Sequence, residues 1–563
     1  MNQKHLANSK HEQREWSGAR VGSMSRPSDL ALLLGCVVLA LWVHRATLST
    51  YFSPDDLIYL ERVQGIVPQS ATLWRWLSGV GWFRLLFPIF GAEPFPYMLL
   101  NWLLHGAAVA AIYAWVRRAG CGALAATLAA GLFGSSRLFT TVVAQVVTVA
   151  EPLAMLLAFA ALALARRPGP GALAGAVATF VAALLCKESV MLLPVLLLMP
   201  GTAPGGLPAR AMRYALLMVP SVLMLAYLST PAVQAALFHD QAYQRAWGIN
   251  VFHNLMTMTG WTFDQQSLAP DLLSAISATA WRVYLWVVLG LVALAVAAWR
   301  TTTLPAWGML WWLLTLAPVL PLLTQRYLHY LYIPTAGLAM ALGAVFEWVL
   351  AGGAGGEASP VRRRAGRAAL AWVLAVALLA GHALRSDALI RERATLKLAT
   401  VDLPVDPFVR KSMTAGRAAA AVRKATAGRR VNAVFVIPEL GATPKLAEIF
   451  HSILGEGLAL KAVCPNLDSV AFVPRWSPAY EDFDVFYGRI DGNVVDVGRG
   501  PDAHGRLAVL LITDHFDQDA RVSLAAALVA YPTDARLRAL YAALMAAPPG
   551  ASVSTVRRAI PRQ

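Results

Sequence analysis

Residues 143–165 read VAQVVTVAEPLAMLLAFAALALA, and Arg166-Arg167 follow at once. A run of this length and apolarity matches the ~20 residues a helix needs to cross the hydrocarbon core of a bilayer. Glu151 is its only charge. A pair of arginines directly behind an apolar run is the usual mark of its cytoplasmic end. This stretch therefore decides the class: a polytopic α-helical membrane protein.

Ten further apolar runs repeat the pattern, at 30–43, 97–116, 121–138, 172–186, 189–200, 211–230, 279–299, 304–323, 331–351 and 368–385, which predicts eleven transmembrane helices. The runs 121–138, 172–186 and 189–200 are weak or short for a full crossing and are expected to be tilted, broken or cavity-lining. Composition agrees, since 57% of the 563 residues are hydrophobic and 14% charged, against about 25% charged in soluble domains. Such a chain lacks the polar surface of a single soluble globule and is too apolar for disorder. Four cysteines exclude a disulfide scaffold.

Charge placement orients the chain. Residues 1–385 carry 26 Lys and Arg against 14 Asp and Glu, while 386–563 carry 22 against 18. With the tail 1–28 inside, Arg117-Arg118, Arg166-Arg167, Arg210, Arg213, Arg300, Arg362-Arg363-Arg364 and Arg367 all fall on the cytoplasmic side. The outer loops 49–96 and 231–278 keep only Arg62, Arg75, Arg84 and Arg245. Basic residues spread through short loops are orientation signals, so nucleic acid is not an expected partner. No small-residue cleavage site follows 30–43, so the first span is expected to be retained. An odd span count then places everything beyond 385 outside the cytoplasm.

The expected domains are a tail at 1–28, a membrane domain at 29–385, a connector at 386–430 and an extracytoplasmic α/β domain at 431–563. In the last, 432–437 reads as a strand, Thr443-Pro444 as a helix start, and Asp491-Gly492 as the turn of a hairpin joining 484–490 to 493–497. Residues 507–513 read as another strand and 521–546 as helix.

An acid buried at the centre of a membrane costs ~2.5–3.5 kcal/mol on insertion scales, so acids beside spans need a reason. Nine lie on the outer side of 1–385: Asp55, Asp56, Glu61, Glu93, Glu151, Glu188, Asp240, Asp264 and Asp271. Asp55-Asp56 stands in Tyr51-Phe-Ser-Pro-Asp-Asp-Leu57, where one carboxylate is able to take a proton while the other orients. The competing reading is helix capping by Ser53 and Pro54, with acids complementing the dipole. Glu151 heads its span, either facing an interior or snorkelling at the interface. Lys187-Glu188 separates two short runs, either as an anion site or as a self-paired turn. Arg326-Tyr-Leu-His-Tyr330 offers a guanidinium fork with His329 and Tyr330 beside it for a phosphate, or else an interfacial anchor. His105 reads as a packed polar residue, and the tryptophans of 74–82 as amphipathic interfacial helices. Neither metal-ligand spacing nor a glycine-rich phosphate loop occurs, so no metal and no cofactor is expected. A disulfide between Cys186 and Cys464 is conceivable on topology alone.

In order along the chain, these motifs resemble those of the GT-C glycosyltransferases, above all the protein O-mannosyltransferase and aminoarabinose-transferase branch. The resemblance runs over roughly 30–345: Asp55-Asp56, Gly91-Ala-Glu-Pro-Phe-Pro-Tyr97, Asn101-Trp-Leu-Leu-His105, Arg117-Arg118, Glu151, Cys186-Lys187-Glu188-Ser189, and Arg326-Tyr-Leu-His-Tyr330 entering Pro334-Thr-Ala-Gly337. It implies inverting transfer from a polyprenyl-phosphate sugar at the outer membrane surface, with loop 49–96 forming part of the cavity. Asp55, Asp56 and Glu151 map onto its catalytic acids, and Lys187 and Arg326, with His329 and Tyr330, onto its lipid-phosphate contacts. The chain departs at Ser135-Ser136, where relatives with tetratricopeptide tails show His-Pro, and it carries an α/β domain in place of such a tail. That leaves the acceptor open among protein, lipid and glycan. The alternatives are a lipid-linked glycan polymerase or ligase, which calls for a large arginine-rich outer loop, and a glycolipid transporter, which calls for matching halves and mid-span charges.

Overall fold

The computed structural model describes residues 27–68, 72–199, 206–237, 244–264, 280–298, 303–350, 361–397, 404, 406–438, 450–451, 453–489 and 492–547. The chain forms two compact units. The first comprises Met1–Leu48, Ser70–Gly81 and Tyr97–Glu392, and the second Ser49–Gln69, Trp82–Pro96 and Arg393–Gln563. The boundary expected at 385 thus falls inside one continuous helix, Val361–Thr395. Two pieces of the 49–96 loop, expected in the membrane domain, are built into the second unit.

The first unit is helical. Among the described residues five helices are long and apolar enough to cross a membrane: Pro94–Arg118, Val147–Ala165, Leu207–Leu228, Leu328–Leu350 and Gly366–Thr395. A sixth results if Ala123–Gly134 and Arg137–Ala144, bent by 45°, are taken as one span. The expectation of eleven spans is corrected to this number. The other apolar runs make shorter helices, such as Pro27–Val43, Pro170–Cys186 and Leu304–Leu316. At 1.5 Å per residue a helix of 17 residues covers about 26 Å, short of the ~30 Å core.

The overcount has a physical cause, because apolarity persists where the helix does not. Leu193, Leu196 and Leu197 lie in a 3₁₀ stretch and are at most 1% exposed, so their hydrophobicity serves the protein interior rather than lipid. The run 304–323 stops being helical after Leu316, just ahead of Pro318 and Pro321. The tryptophan segment also differs from two plain amphipathic helices. A π-helical turn at Leu77–Gly81 precedes the α-helix Trp82–Phe90.

Helix Leu304–Leu316 crosses helix Tyr332–Leu350 at Gly308 and Gly337. A Cβ on Gly337 would stand 2.5 Å from the Gly308 carbonyl oxygen, and one on Gly308 2.4 Å from that of Gly337. Only glycine permits this approach. Trp311 Nε1 then donates to the Ile333 carbonyl at 2.8 Å. The crossing fixes the head of Tyr332–Leu350 and with it the preceding turn, Leu328–Leu331.

The second unit contains a four-stranded sheet: β1 (Val431–Val436), β2 (Leu467–Val473), β3 (Asp484–Gly488) and β4 (Val494–Gly498), in the order β2-β1-β3-β4. Strand β1 is parallel to β2 and β3, and β4 returns antiparallel to β3. The 432–437 strand and the 484–497 hairpin are therefore present, with Gly492 at φ +75° in the turn. Asp491 and Thr443-Pro444 lie outside the described residues.

The strand expected at 507–513 is a helix instead, Pro501–Thr513. Leu507, Ala508, Leu511 and Ile512 bury a helical stripe against Val434, Val485 and Val497 of the sheet. A short, wholly apolar run carries no period that separates this from a strand. The helical stretch 521–546 is two helices, Asp517–Ala530 and Ala535–Ala546, the second capped by Asp534. Cys186 and Cys464 are both free and buried.

Candidate functional site

Helix Ala150–Ala165 begins with Glu151 in its first turn. Pro152 is tolerated there because first-turn N–H groups have no helical acceptor. Helix Pro170–Cys186 ends where Lys187 turns extended, at φ −156° and ψ 128°. The two side chains meet, with Lys187 Nζ 2.7 Å from Glu151 Oε1 and each side chain 2% exposed. Glu151 is thus an interior carboxylate and does not snorkel.

Glu188 is not paired with Lys187 either. Arg75 reaches it as a fork, Nε to Oε2 at 3.1 Å and Nη2 to Oε1 at 2.5 Å. Arg75 holds a left-handed backbone at φ +51° and lies 4.2 Å from the Trp74 ring. A non-glycine residue there stores about 1–3 kcal/mol, which the two charge-assisted bonds offset. Sequence reasoning passed over Arg75. Its signal was that of a lone outer-loop arginine set between Trp74 and Trp76.

Tyr330 underlies this cluster, its ring 5.1 Å from Lys187 Nζ. His329 packs edge-on to Tyr330 at 4.6 Å and stacks on Tyr327 at 5.2 Å. Arg75 and Glu188 lie within electrostatic reach of Glu151, Lys187 and His329. Burial and the Arg75 guanidinium lower the Lys187 pKa below the ordinary lysine value, against the pull of Glu151 and Glu188. In the same segment, Arg326 Nε and His329 Nδ1 are buried with no hydrogen-bond partner among the described residues. Within the cluster two cations, Arg75 and Lys187, face two carboxylates, Glu188 and Glu151.

Breaking the buried pair exposes its energetics. Lys187→Met leaves Glu151 uncompensated and is expected to destabilise the chain by about 3–5 kcal/mol. Lys187→Met with Glu151→Leu removes both charges and should recover most of that loss. Thermal unfolding of the purified variants decides it, and a double variant as unstable as the single one would contradict the pairing.

Asp55 and Asp56 belong to the second unit, where they have different surroundings. Ser53 is the N-cap of helix Pro54–Val63, with Pro54 in the first turn. Asp56 closes a capping box: its Oδ2 accepts from Ser53 N at 2.8 Å, and its own N donates to Ser53 Oγ at 3.3 Å. Asp56 is fully buried, whereas Asp55 is exposed. Capping therefore describes Asp56. His105 is a packed polar residue, as its sequence context suggests. Its Nε2 donates to the Gly134 carbonyl at 2.9 Å, which leaves Nδ1 to accept from Tyr332 Oη at 3.0 Å.

The structure brings Glu151, Lys187, His329 and Tyr330 together and adds Arg75 and Glu188. Among the described residues no group of three or more His, Cys, Asp or Glu is placed to hold a metal ion. No protein-family model matches the chain, and no curated protein sequence matches it.

Proposed function

We propose that this chain is a membrane glycosyltransferase that moves a sugar from a polyprenyl-phosphate donor to an extracytoplasmic hydroxyl, inverting the anomeric centre. The observation that supports this most is the buried cluster of Arg75, Glu188, Lys187 and Glu151, with Arg326 and His329 bearing unbonded nitrogens in one neighbouring segment. A sugar phosphodiester carries one negative charge, and Arg326 is the cation of this segment that stands outside the two ion pairs. As the bond from the anomeric carbon to phosphate oxygen breaks, its electron pair passes to the phosphate, whose second charge cations stabilise.

Arg326 supplies the planar fork to the phosphate, with His329 and Tyr330 adding donors. Lys187 is already engaged, so Glu151, expected from the sequence as a catalytic acid, becomes the residue that positions it. The proton leaving the acceptor hydroxyl is assigned to Asp55 by the sequence resemblance, with Asp56 holding the helix start. No further cofactor enters this step, and the sugar and acceptor identities stay at class level.

One observation favours the transporter reading as a second candidate. A span bent by 45° at Gly134–Arg137, in a unit holding buried ion pairs, is also a feature of transporter folds. Supplying the purified chain with a polyprenyl-phosphate sugar and envelope extract as the source of acceptor hydroxyls separates the two, since a transferase passes the sugar to an acceptor and releases polyprenyl phosphate, whereas a transporter returns the donor intact.

The extracytoplasmic placement of the C-terminal domain belongs to the same proposal. Among the described residues the one long apolar helix between Gly352 and Gly428 is Gly366–Thr395. Reporter fusions at those two glycines are expected to signal from opposite sides of the membrane. Signals from the same side would contradict that placement.

A further inference from the structure

The outer loop 231–278 contributes a helix, Ile249–Phe263, to the first unit. Its partner is the stretch 317–327, which leaves the helical path after Leu316 and leads to Arg326. Pro318 and Pro321 deny that stretch two N–H groups, and its carbonyls have lost their helical donors. Leu320, Pro321 and Leu322 are buried, so their carbonyls need donors from another part of the chain.

The segment 244–254 supplies them. Asn254 Nδ2 donates to the Leu320 and Leu322 carbonyls, each at 2.7 Å. Between these, Ala246 N donates to the Pro321 carbonyl at 3.0 Å, and Asn250 Nδ2 reaches it at 3.3 Å. Leu323 N returns a bond to the Gln244 carbonyl at 3.0 Å, and Arg245 and Leu322 pair as an antiparallel bridge. Asn254 is fully buried, and its two carbonyl acceptors fix which end of the amide carries the hydrogens. At its far end the helix is held by Arg137, whose Nη2 donates to the Asp264 carbonyl at 2.6 Å. The same helix packs against the turn Leu328–Leu331. Arg326 therefore stands between two points that one helix fixes.

We infer that Asn254 is a positioning residue for Arg326, fixing through the Leu320 and Leu322 carbonyls the backbone that carries the guanidinium. The role of Arg326 in this inference rests on the transferase reading, whereas the clasp on 320–323 does not. A misplacement of about 1 Å at a reacting group costs on the order of 10²-fold in rate. A buried amide with no part in the chemistry is thus able to govern turnover.

The test compares the purified full chain with Asn254→Leu, which keeps the bulk and loses both donors. Transfer from a polyprenyl-phosphate sugar to the acceptors of an envelope extract should fall about 10–10²-fold. Asn254→Gln, which keeps the donors on a longer arm, should regain part of the rate. In an Arg326→Ala background Asn254→Leu should add no further loss, because nothing is left to position. Losses that multiply would overturn the inference, since a merely structural role adds to any other. Hydrogen exchange read by mass spectrometry needs no catalysis: the peptide over 319–327 should exchange faster in Asn254→Leu, with peptides over β1 and β3 unchanged. Unaltered exchange at 319–327 would also overturn it. If the wild-type chain transfers no sugar while exchange responds as expected, the transferase reading falls and the clasp stands. Should Asn254→Leu fail to accumulate, Asn250→Ala loosens the same clasp at Pro321 and carries both readouts, with smaller effects of the same sign.

Discussion

Arg326→Ala cuts sugar transfer about 10²–10³-fold while the protein accumulates normally: this is the expected result if the guanidinium meets the lipid phosphate as it becomes the leaving group. Its Nε is buried with no hydrogen-bond partner among the described residues, so removing it leaves no side-chain acceptor stranded. Stability should therefore change less than turnover. Arg326→Lys keeps the charge but loses the fork, and should recover only part of the rate. The measurement is turnover of polyprenyl-phosphate sugar by purified variants at matched protein level. Full activity in Arg326→Ala would remove the residue from the reaction and leave it an interfacial anchor.

Asp55→Asn should cost about 10²–10⁴-fold in turnover with donor binding retained, because an amide takes up no proton. Asp56→Asn is the informative contrast. The Asp56 carboxylate accepts from Ser53 N, and an asparagine oxygen is able to do the same, so this variant should lose little rate. Ser53→Ala removes the cap hydroxyl without touching either carboxylate, at about 0.5–2 kcal/mol of stability. If Asp55→Asn retains near wild-type turnover, the base is another of the outer acids. If Asp56→Asn is the inactive variant, the division of the pair into base and cap is reversed.

Much of the architecture could be read from residue order. Long apolar runs correspond to long helices at 97–116, 143–165, 211–230, 331–351 and 368–385, the first two with an arginine pair directly behind them. The short runs misled, since a core-facing Leu196 and a lipid-facing leucine read alike in sequence. In the second unit the Asp-Gly turn announced its hairpin, whereas Leu507–Thr513 had no period to betray a helix. Strand β2, Leu467–Val473, went unannounced because its hydrophobicity is interrupted by Asp468 and Ser469.

The site was legible as residues and not as partners. Lys187 and Glu151 each stood out as charges at the edges of apolar runs, yet nothing in a spacing of 36 positions states that they pair. The Arg75 fork depends on a positive φ that its tryptophan neighbours do not encode. Asp56 was the exception: Ser53-Pro54 reads as a helix start with acids in its first turn, and the structure closes that start with a capping box between Ser53 and Asp56.

On the proposed function the chain breaks the bond between sugar and lipid phosphate. The measurement that tests it most directly places the purified chain in proteoliposomes with a polyprenyl-phosphate sugar labelled in both sugar and phosphate, and adds envelope extract as the source of acceptors. The two labels are expected to part. Phosphate stays with the lipid, the sugar appears on an acceptor hydroxyl with the opposite anomeric configuration, and Arg326→Ala arrests both. Recovery of the donor with both labels still joined, on either side of the bilayer, would contradict it.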